Sequence, residues 1–482
     1  MKHLNHTIYK KVKRPIKILQ IGEGNFLRAF IDPVIQTMNE NINFSSNVCV
    51  VQPLANGRID KLAQQDGLYT LLLEGIQNNK KTKKQYVVDV LDDFIDPYVD
   101  YQKFLSYAHS EDLLFIISNT TEAGIVLDEN DLNFTKTPLS YPGKVLAFLK
   151  ERYDFFSKDS TKGLYILPCE LIDNNGDKLK EIILKLASLH NFEQDFINWI
   201  ANSNFFYNTL VDRIVPGYPK EEINILQNEL GYIDNNLVKG EIFHLWVISG
   251  NPKLLDILPI QETNLNIVFT KDIKPFKERK VKILNGAHTC MVPIAYLSGI
   301  TTVSKVMSTP FLSKWIYNFL THEVLPTIPM KQKEVELFID DVLERFKNPF
   351  IKHQLLDIAL NSMTKYKTRI LPTAIDYYNS KGQLPVYALF SFAALCHLYQ
   401  IENNQGKPLI KDNQEFLNFW SSIKKSSLSD FELINKVVSL PHWNNDFSKM
   451  NGAVEYIQKC YSLIKEHGVH FALQELFGDT YE

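Results

Sequence analysis

Ten residues, KVKILNGAHT (280–289), set Lys280, Asn285 and His288 among Val281, Ile283, Leu284 and Ala287. Each of these polar side chains is costly to bury, so the apolar setting asks for a task. Desolvation draws a lysine pKa down toward the range where an amine can release and retrieve a proton. An asparagine N–H suits an oxygen that gains negative charge. A histidine can orient a hydroxyl or steady the lysine. The set fits proton transfer at a carbonyl or alkoxide oxygen and needs no metal. On a helix, Asn285 and His288 share one face, and Lys280 falls within an arc of about 140° of them. Pro293 kinks a long helix, which confines that geometry to the local turn. The lysine also closes the charged run KPFKERK (274–280), where lysines are ordinarily solvated; spacing alone leaves both readings open.

A second stretch with chemical potential is IKILQIGEGNFLRAF (16–30). A β-type run leads into Gly22-Glu23-Gly24 and then into helical periodicity. Glycines at such a turn let the backbone approach a pyrophosphate, which makes Gln20, Ile21, Gly22, Glu23, Gly24, Asn25, Phe26, Leu27 and Arg28 candidate dinucleotide contacts. Leu27 replaces the third glycine of the full motif, so a tight turn in another α/β enzyme is the alternative. The next strand ends on Gln52, an uncharged residue where an acid usually meets the adenosine ribose. Arg58 follows and suits a 2′-phosphate. These residues alone leave NAD and NADP both open.

The elements that must hold these groups fall into two kinds. Strand candidates at 46–54, 85–94, 112–121 and 163–171 alternate with helical stretches such as 141–153, the pattern of a doubly wound α/β sheet. The strands are apolar on both faces, as a covered parallel sheet requires. Beyond about residue 270 the period becomes helical, with 401–414 a connecting polar loop. The expected organisation is a Rossmann-type dinucleotide-binding domain over 1–270 and a largely α-helical substrate and catalytic domain over 271–482.

Composition narrows the function class. The chain has 482 residues, 52 basic against 55 acidic side chains and a net charge of −3. That balance offers no broad field for nucleic acid or an anionic membrane. Five scattered cysteines lack metal or redox spacing and suit reduced, buried thiols. No apolar run approaches the roughly 20 residues of a spanning helix, and no signal core follows the basic N-terminus. A cytoplasmic location is the expectation.

The longer motifs carry a family likeness. QIGEGNFLRAF, QDGLYTL (65–71), TTEAGI (120–125), LVDRIVPGYP (210–219), KVKILNGAHT and RFKNPFIKHQLLDIAL resemble, in order along nearly the whole chain, the long-chain polyol dehydrogenases of the mannitol dehydrogenase family. SNTTEAGI, PCELIDNNGD and NPFIKHQLL are similar to the subgroup that acts on a hexuronate. The resemblance implies zinc-independent NAD chemistry on a sugar acid, D-tagaturonate to D-altronate in hexuronate breakdown. It maps the family's K-x4-N-x2-H signature onto Lys280, Asn285 and His288, with Lys280 the proton-transfer residue. It also sets Asp212 near the substrate, with a structural Asp212–Arg213 pairing as the alternative.

One departure stands out. Polyol-oxidising relatives carry C-D-N where this chain has Cys169-Glu170-Leu171, and Leu171 cannot be their second oxyanion donor. Asn174, Asn175 or a backbone group is left to fill that place. A uronate carboxylate needs a cation, and 348–372 supplies Lys352, His353, Lys365, Lys367 and Arg369. Arginine suits bidentate recognition best, so Arg369 comes first, with Lys365 and His353 behind it. The rival readings are a fructuronate reductase, a mannitol-type dehydrogenase, and a nucleotide-binding sensor without turnover.

Overall fold

The structure is a computed structural model that describes residues 1–120, 123–131, 133–403 and 405–478. Thr121 and Glu122 of the TTEAGI stretch lie outside the described residues. The chain forms two compact units, one of Met1–Gly75 with Lys81–Ile273, the other of Ile76–Lys80 with Lys274–Glu482.

The first unit is built on six parallel strands: β1 (Ile16–Ile21), β2 (Asn47–Val51), β3 (Leu91–Ile95), β4 (Phe115–Ser118), β5 (Tyr165–Pro168) and β6 (Phe205–Phe206). Their spatial order, β3-β2-β1-β4-β5-β6, is that of a doubly wound dinucleotide fold. Strand alternation sends Ile18, Val48, Val50 and Ile117 to one apolar core. Leu19, Ile21, Val51 and Ile116 go to the other. Both faces are covered, which explains the unbroken apolar runs. Two three-stranded sheets complete the unit: Val238–Glu241, Tyr69–Gln77 and Lys80–Val88 form one, and Asn208–Asp212, Leu245–Ser249 and Ile267–Thr270 the other.

The run 85–94, expected as one strand, is divided between two sheets. The Asp89 N–H leaves the ladder to donate to Gln36 Oε1 at 3.0 Å, and its carboxylate faces Arg14 at 3.5 Å. A side-chain bond from a distant part of the chain takes the place of strand pairing there.

The second unit is helical; among the described residues no strand follows Ile267–Thr270. α3 (Gly286–Leu297), reached from α2 (Lys274–Lys280), is buried nearly all round through Ala287, Cys290, Met291 and Ile294. It packs on Val386–Leu398, another helix buried on every side, and the Ser391 hydroxyl donates to the Cys290 carbonyl at 2.8 Å. All five cysteines are free and buried. Among the described residues no helix is long and apolar enough to cross a membrane, and no group of three or more His, Cys, Asp or Glu is arranged to hold a metal ion.

Candidate active site

Between α2 and α3 the chain does not stay α-helical. Val281–Asn285 forms a π turn, closed by the Gly286 N–H donating to the Val281 carbonyl, and the helix then runs on through Pro293. Bonding of i to i+5 places residues five apart about one turn from each other. Lys280 and Asn285 are five apart, so the π turn aligns a pair that regular helical spacing separates. His288 follows Asn285 by three residues in α3 and shares its face. Lys280 and Asn285 are half-buried, and His288 is buried.

The floor under this face comes from α4 (Gln332–Phe346). The Arg279 guanidinium lies 4.2 Å from the Phe338 ring centre, and the His288 ring is 4.3 Å from that of Phe346. α4 thus meets α2 at Phe338 and α3 at Phe346. His288 Nε2 is buried and accepts or donates no hydrogen bond among the described residues. Burial, then the neighbouring His353, Arg345, Arg369 and Lys365, hold its pKa well below the usual histidine range. The imidazole is therefore neutral.

Around His288 the structure gathers three of the basic residues of the 348–372 stretch, His353, Lys365 and Arg369. The His353 ring stands edge-on, 4.9 Å from that of His288. On α5 (Ser362–Arg369), Lys365 and Arg369 are one turn apart. Arg369 Nη1 donates to Thr289 Oγ1 at 3.4 Å, a long bond and the one hydrogen bond its half-buried guanidinium makes among the described residues. Lys365 donates to the Ile358 carbonyl at 2.9 Å. Burial and mutual repulsion lower the Lys365 pKa, with Asp412 offsetting part of it. Lys352 is exposed. Sequence reasoning missed Arg345. Its signal was a cation on the apolar stripe Val335, Phe338, Ile339, Val342 of an amphipathic helix, where it is buried.

In the first unit the chain turns from β1 into α1 (Asn25–Phe30) through Gly22 at φ +127°. A Cβ on Gly22 would stand 2.9 Å from the Asn119 carbonyl oxygen, whereas one on Gly24 would meet nothing within 4 Å. Gly24, Glu23, Asn25 and Arg28 line a cavity of about 920 Å³ that extends to Pro53, Arg58, Lys61 and Lys220. That volume and the open backbone at Gly24 fit a dinucleotide. The other candidates of this turn have interior tasks. Ile21 and Leu27 are in the apolar cores, and Phe26 stacks on Phe30 at 4.9 Å. Gln20 donates to the Gly22 carbonyl at 3.1 Å. Arg28 donates to the Asn236 carbonyl and to Asn25 Oδ1, both at 2.6 Å. Gln52 is buried; its amide donates to Asp96 Oδ2 and its oxygen accepts the Ile59 N–H, both at 3.2 Å.

Asp212 is buried at the end of Asn208–Asp212, beside His244, while Arg213 donates to the carbonyls of Phe243, Ala29 and Ile242. Leu171 is exposed. Asn175 is buried and fully engaged, donating to the Pro168 and Glu170 carbonyls and accepting from the Gly176 and Thr209 N–H groups. Glu170 accepts from Thr120 and Ser118, which ties the ends of β4 and β5.

Comparison with known proteins agrees with this architecture. Residues 16–260 match the mannitol dehydrogenase Rossmann domain and residues 272–465 the mannitol dehydrogenase C-terminal domain. Altronate oxidoreductase of Bacillus subtilis (strain 168) is 40% identical over 478 residues, 98% of each chain. That of Klebsiella pneumoniae (strain 342) is 39% identical over 99% of this chain and 100% of its own. Among solved structures, D-sorbitol dehydrogenase in substrate-free form superposes with a TM-score of 0.82 at 20% identity, over 98% of this chain and 100% of that one. Pseudomonas fluorescens mannitol 2-dehydrogenase, in a ternary complex with NAD and D-mannitol, gives 0.70 at 22% identity over 99% and 96%. The chain belongs to the mannitol dehydrogenase family of oxidoreductases.

Proposed function

We propose that the protein reduces the keto group of D-tagaturonate to D-altronate, reversibly, with NADH as the hydride donor. The observation that carries this reading is the convergence of Arg369, Lys365 and His353 on His288, with more donors than acceptors in a half-buried setting. Such a group is built for an anion, and a uronate differs from an ordinary keto-sugar by its carboxylate. The full-length likeness to altronate oxidoreductases supports the same substrate class.

When bound, the nicotinamide supplies hydride to the carbonyl carbon. Lys280 as ammonium gives its proton to the carbonyl oxygen and becomes the neutral amine; in oxidation the amine takes the proton back. Asn285, aligned with Lys280 by the π turn, donates its amide N–H to the oxygen as charge builds there. His288 meets a substrate hydroxyl with its unpartnered Nε2. Arg369, Lys365 and His353 hold the carboxylate. Asn175 is excluded as second oxyanion donor by its own hydrogen bonds.

The test is NADH oxidation with tagaturonate, fructuronate and fructose side by side. Tagaturonate is expected to give the highest kcat/KM. A clear preference for fructose would refute the reading, and a preference for fructuronate would shift it to the sister reductase. Tight NADH binding with no turnover of any keto-sugar acid would favour a sensor.

A further inference from the structure

The helix that carries Lys365 and Arg369 does not cap itself. α5 has eight residues, short of what holds a helix alone in water. Its N-cap, Asn361, is left-handed at φ +57°, and the Asn361 side chain makes no capping hydrogen bond. The first N–H groups of a helix have no partner within it. Here the partners come from other parts of the second unit: the Met363 N–H donates to Tyr399 Oη at 3.1 Å and to Asp412 Oδ2 at 3.2 Å. The Tyr399 hydroxyl donates in turn to Asp412 Oδ2. Burial, then the carboxylate beside it, push the Tyr399 phenol well above its usual range, which keeps that donor proton in place. Both partners are themselves fixed. The buried Tyr399 ring stacks on Trp420 with centres 5.2 Å apart, and Asp412 Oδ1 accepts the Asn413 N–H at 2.7 Å. Beside them the Asn361 N–H donates to the Lys411 carbonyl at 2.9 Å.

We propose that Tyr399 and Asp412 are positioning residues for the substrate's carboxylate: bonded to the first turn of α5, they fix the direction in which Lys365 and Arg369 are offered to it. This rests on the reading that those two cations hold the carboxylate. Arg369 lies about 9 Å along the helix axis from Met363, so a tilt of roughly 10° at the first turn moves the guanidinium by about 1.5 Å. Recognition of a carboxylate by the planar guanidinium is geometrically exacting and does not survive such a shift unchanged. The polar stretch that ends at Asp412 therefore does more than connect two helices.

The test is steady-state kinetics with NADH and D-tagaturonate on Asp412→Ala, Asp412→Asn, Tyr399→Phe and Arg369→Ala, with NADH titration and thermal melting of each. Asp412→Ala is expected to raise KM by about fivefold or more, the scale of a lost hydrogen bond, with kcat and NADH Kd each within about threefold. Asp412→Asn keeps an acceptor oxygen for Met363 and Tyr399 and is expected to recover most of that loss. Tyr399→Phe keeps the ring on Trp420 and deletes only the hydroxyl; KM is expected to rise by about threefold. That variant decides the matter where Asp412→Ala does not fold. A lower melting temperature with KM unchanged, a fall in kcat in place of a rise in KM, or Asp412→Asn no better than Asp412→Ala overturns the proposal. A silent Asp412→Ala beside an effective Arg369→Ala overturns it alone; a silent Arg369→Ala overturns the carboxylate reading with it, so the two failures are told apart.

Discussion

The imidazoles of His288 and His353 meet edge to face, 4.9 Å between ring centres, inside a cluster that also contains Arg345, Lys365 and Arg369. Protonating His288 there would add a charge to a buried, already positive group. Its folded-state pKa is depressed, so below the unfolded value of about 6.5 the unfolded chain binds the extra proton and the native one does not. The stability this group contributes is present above that pH and is lost as pH falls below it. Urea midpoints should therefore drop between about pH 7 and pH 5, and the drop should be shallower in His288→Asn. An identical slope in the variant would assign the effect elsewhere.

If Lys280 moves the proton, Lys280→Met should lower kcat by about a hundredfold or more. NADH affinity should stay within about threefold, because the cavity beside Gly24 is lined by residues of the first unit. Stopped-flow turnover together with NADH fluorescence separates the two quantities. Unchanged kcat would remove the lysine from the mechanism.

Arg369 has a long hydrogen bond to Thr289 and spare donors. Replacing it by alanine should raise KM for the uronate by roughly tenfold or more, the scale of one charge-assisted hydrogen bond. KM for an uncharged ketose should move far less. Equal effects on both would take Arg369 out of the carboxylate site.

The two glycines of the first turn give a contrasting pair. Gly22→Ala puts a methyl 2.9 Å from the Asn119 carbonyl at φ +127°, and should destabilise the fold by about 2–3 kcal/mol. Gly24→Ala meets nothing within 4 Å and should leave the melting temperature nearly unchanged. Its methyl instead occupies the approach to the cavity, so NADH Kd should rise by about tenfold. Calorimetry and cofactor titration on both variants check the split; equal Kd for Gly24→Ala and the parent would move the cofactor away from this turn.

Much of this was legible because it rests on local repetition. Strand-turn-helix at Gly22 and the switch to helical period after residue 270 are visible in a few residues each. The carboxylate candidates were visible as a basic stretch, with Lys365 and Arg369 at helical spacing. The rest depends on non-local bonding. The π turn at Val281–Asn285 is a hydrogen-bond choice that leaves no mark in an apolar run. Gln52 is held by Asp96, 44 residues away. Asp89 cuts a strand in two because Gln36 captures its N–H, 53 residues distant. Asn175, a candidate donor by sequence, is spent on backbone groups that only the folded sheet brings near it.

The π turn also works as a length compensator. In an unbroken α-helix, residues five apart diverge by about 140° and residues four apart by about 40°. The extra residue in the loop of Val281–Asn285 lets a five-residue interval behave like a four-residue one. Trimming one residue from that loop would leave lysine and asparagine abreast, whereas straightening the segment at constant length would swing the ammonium round to the far side of the cylinder.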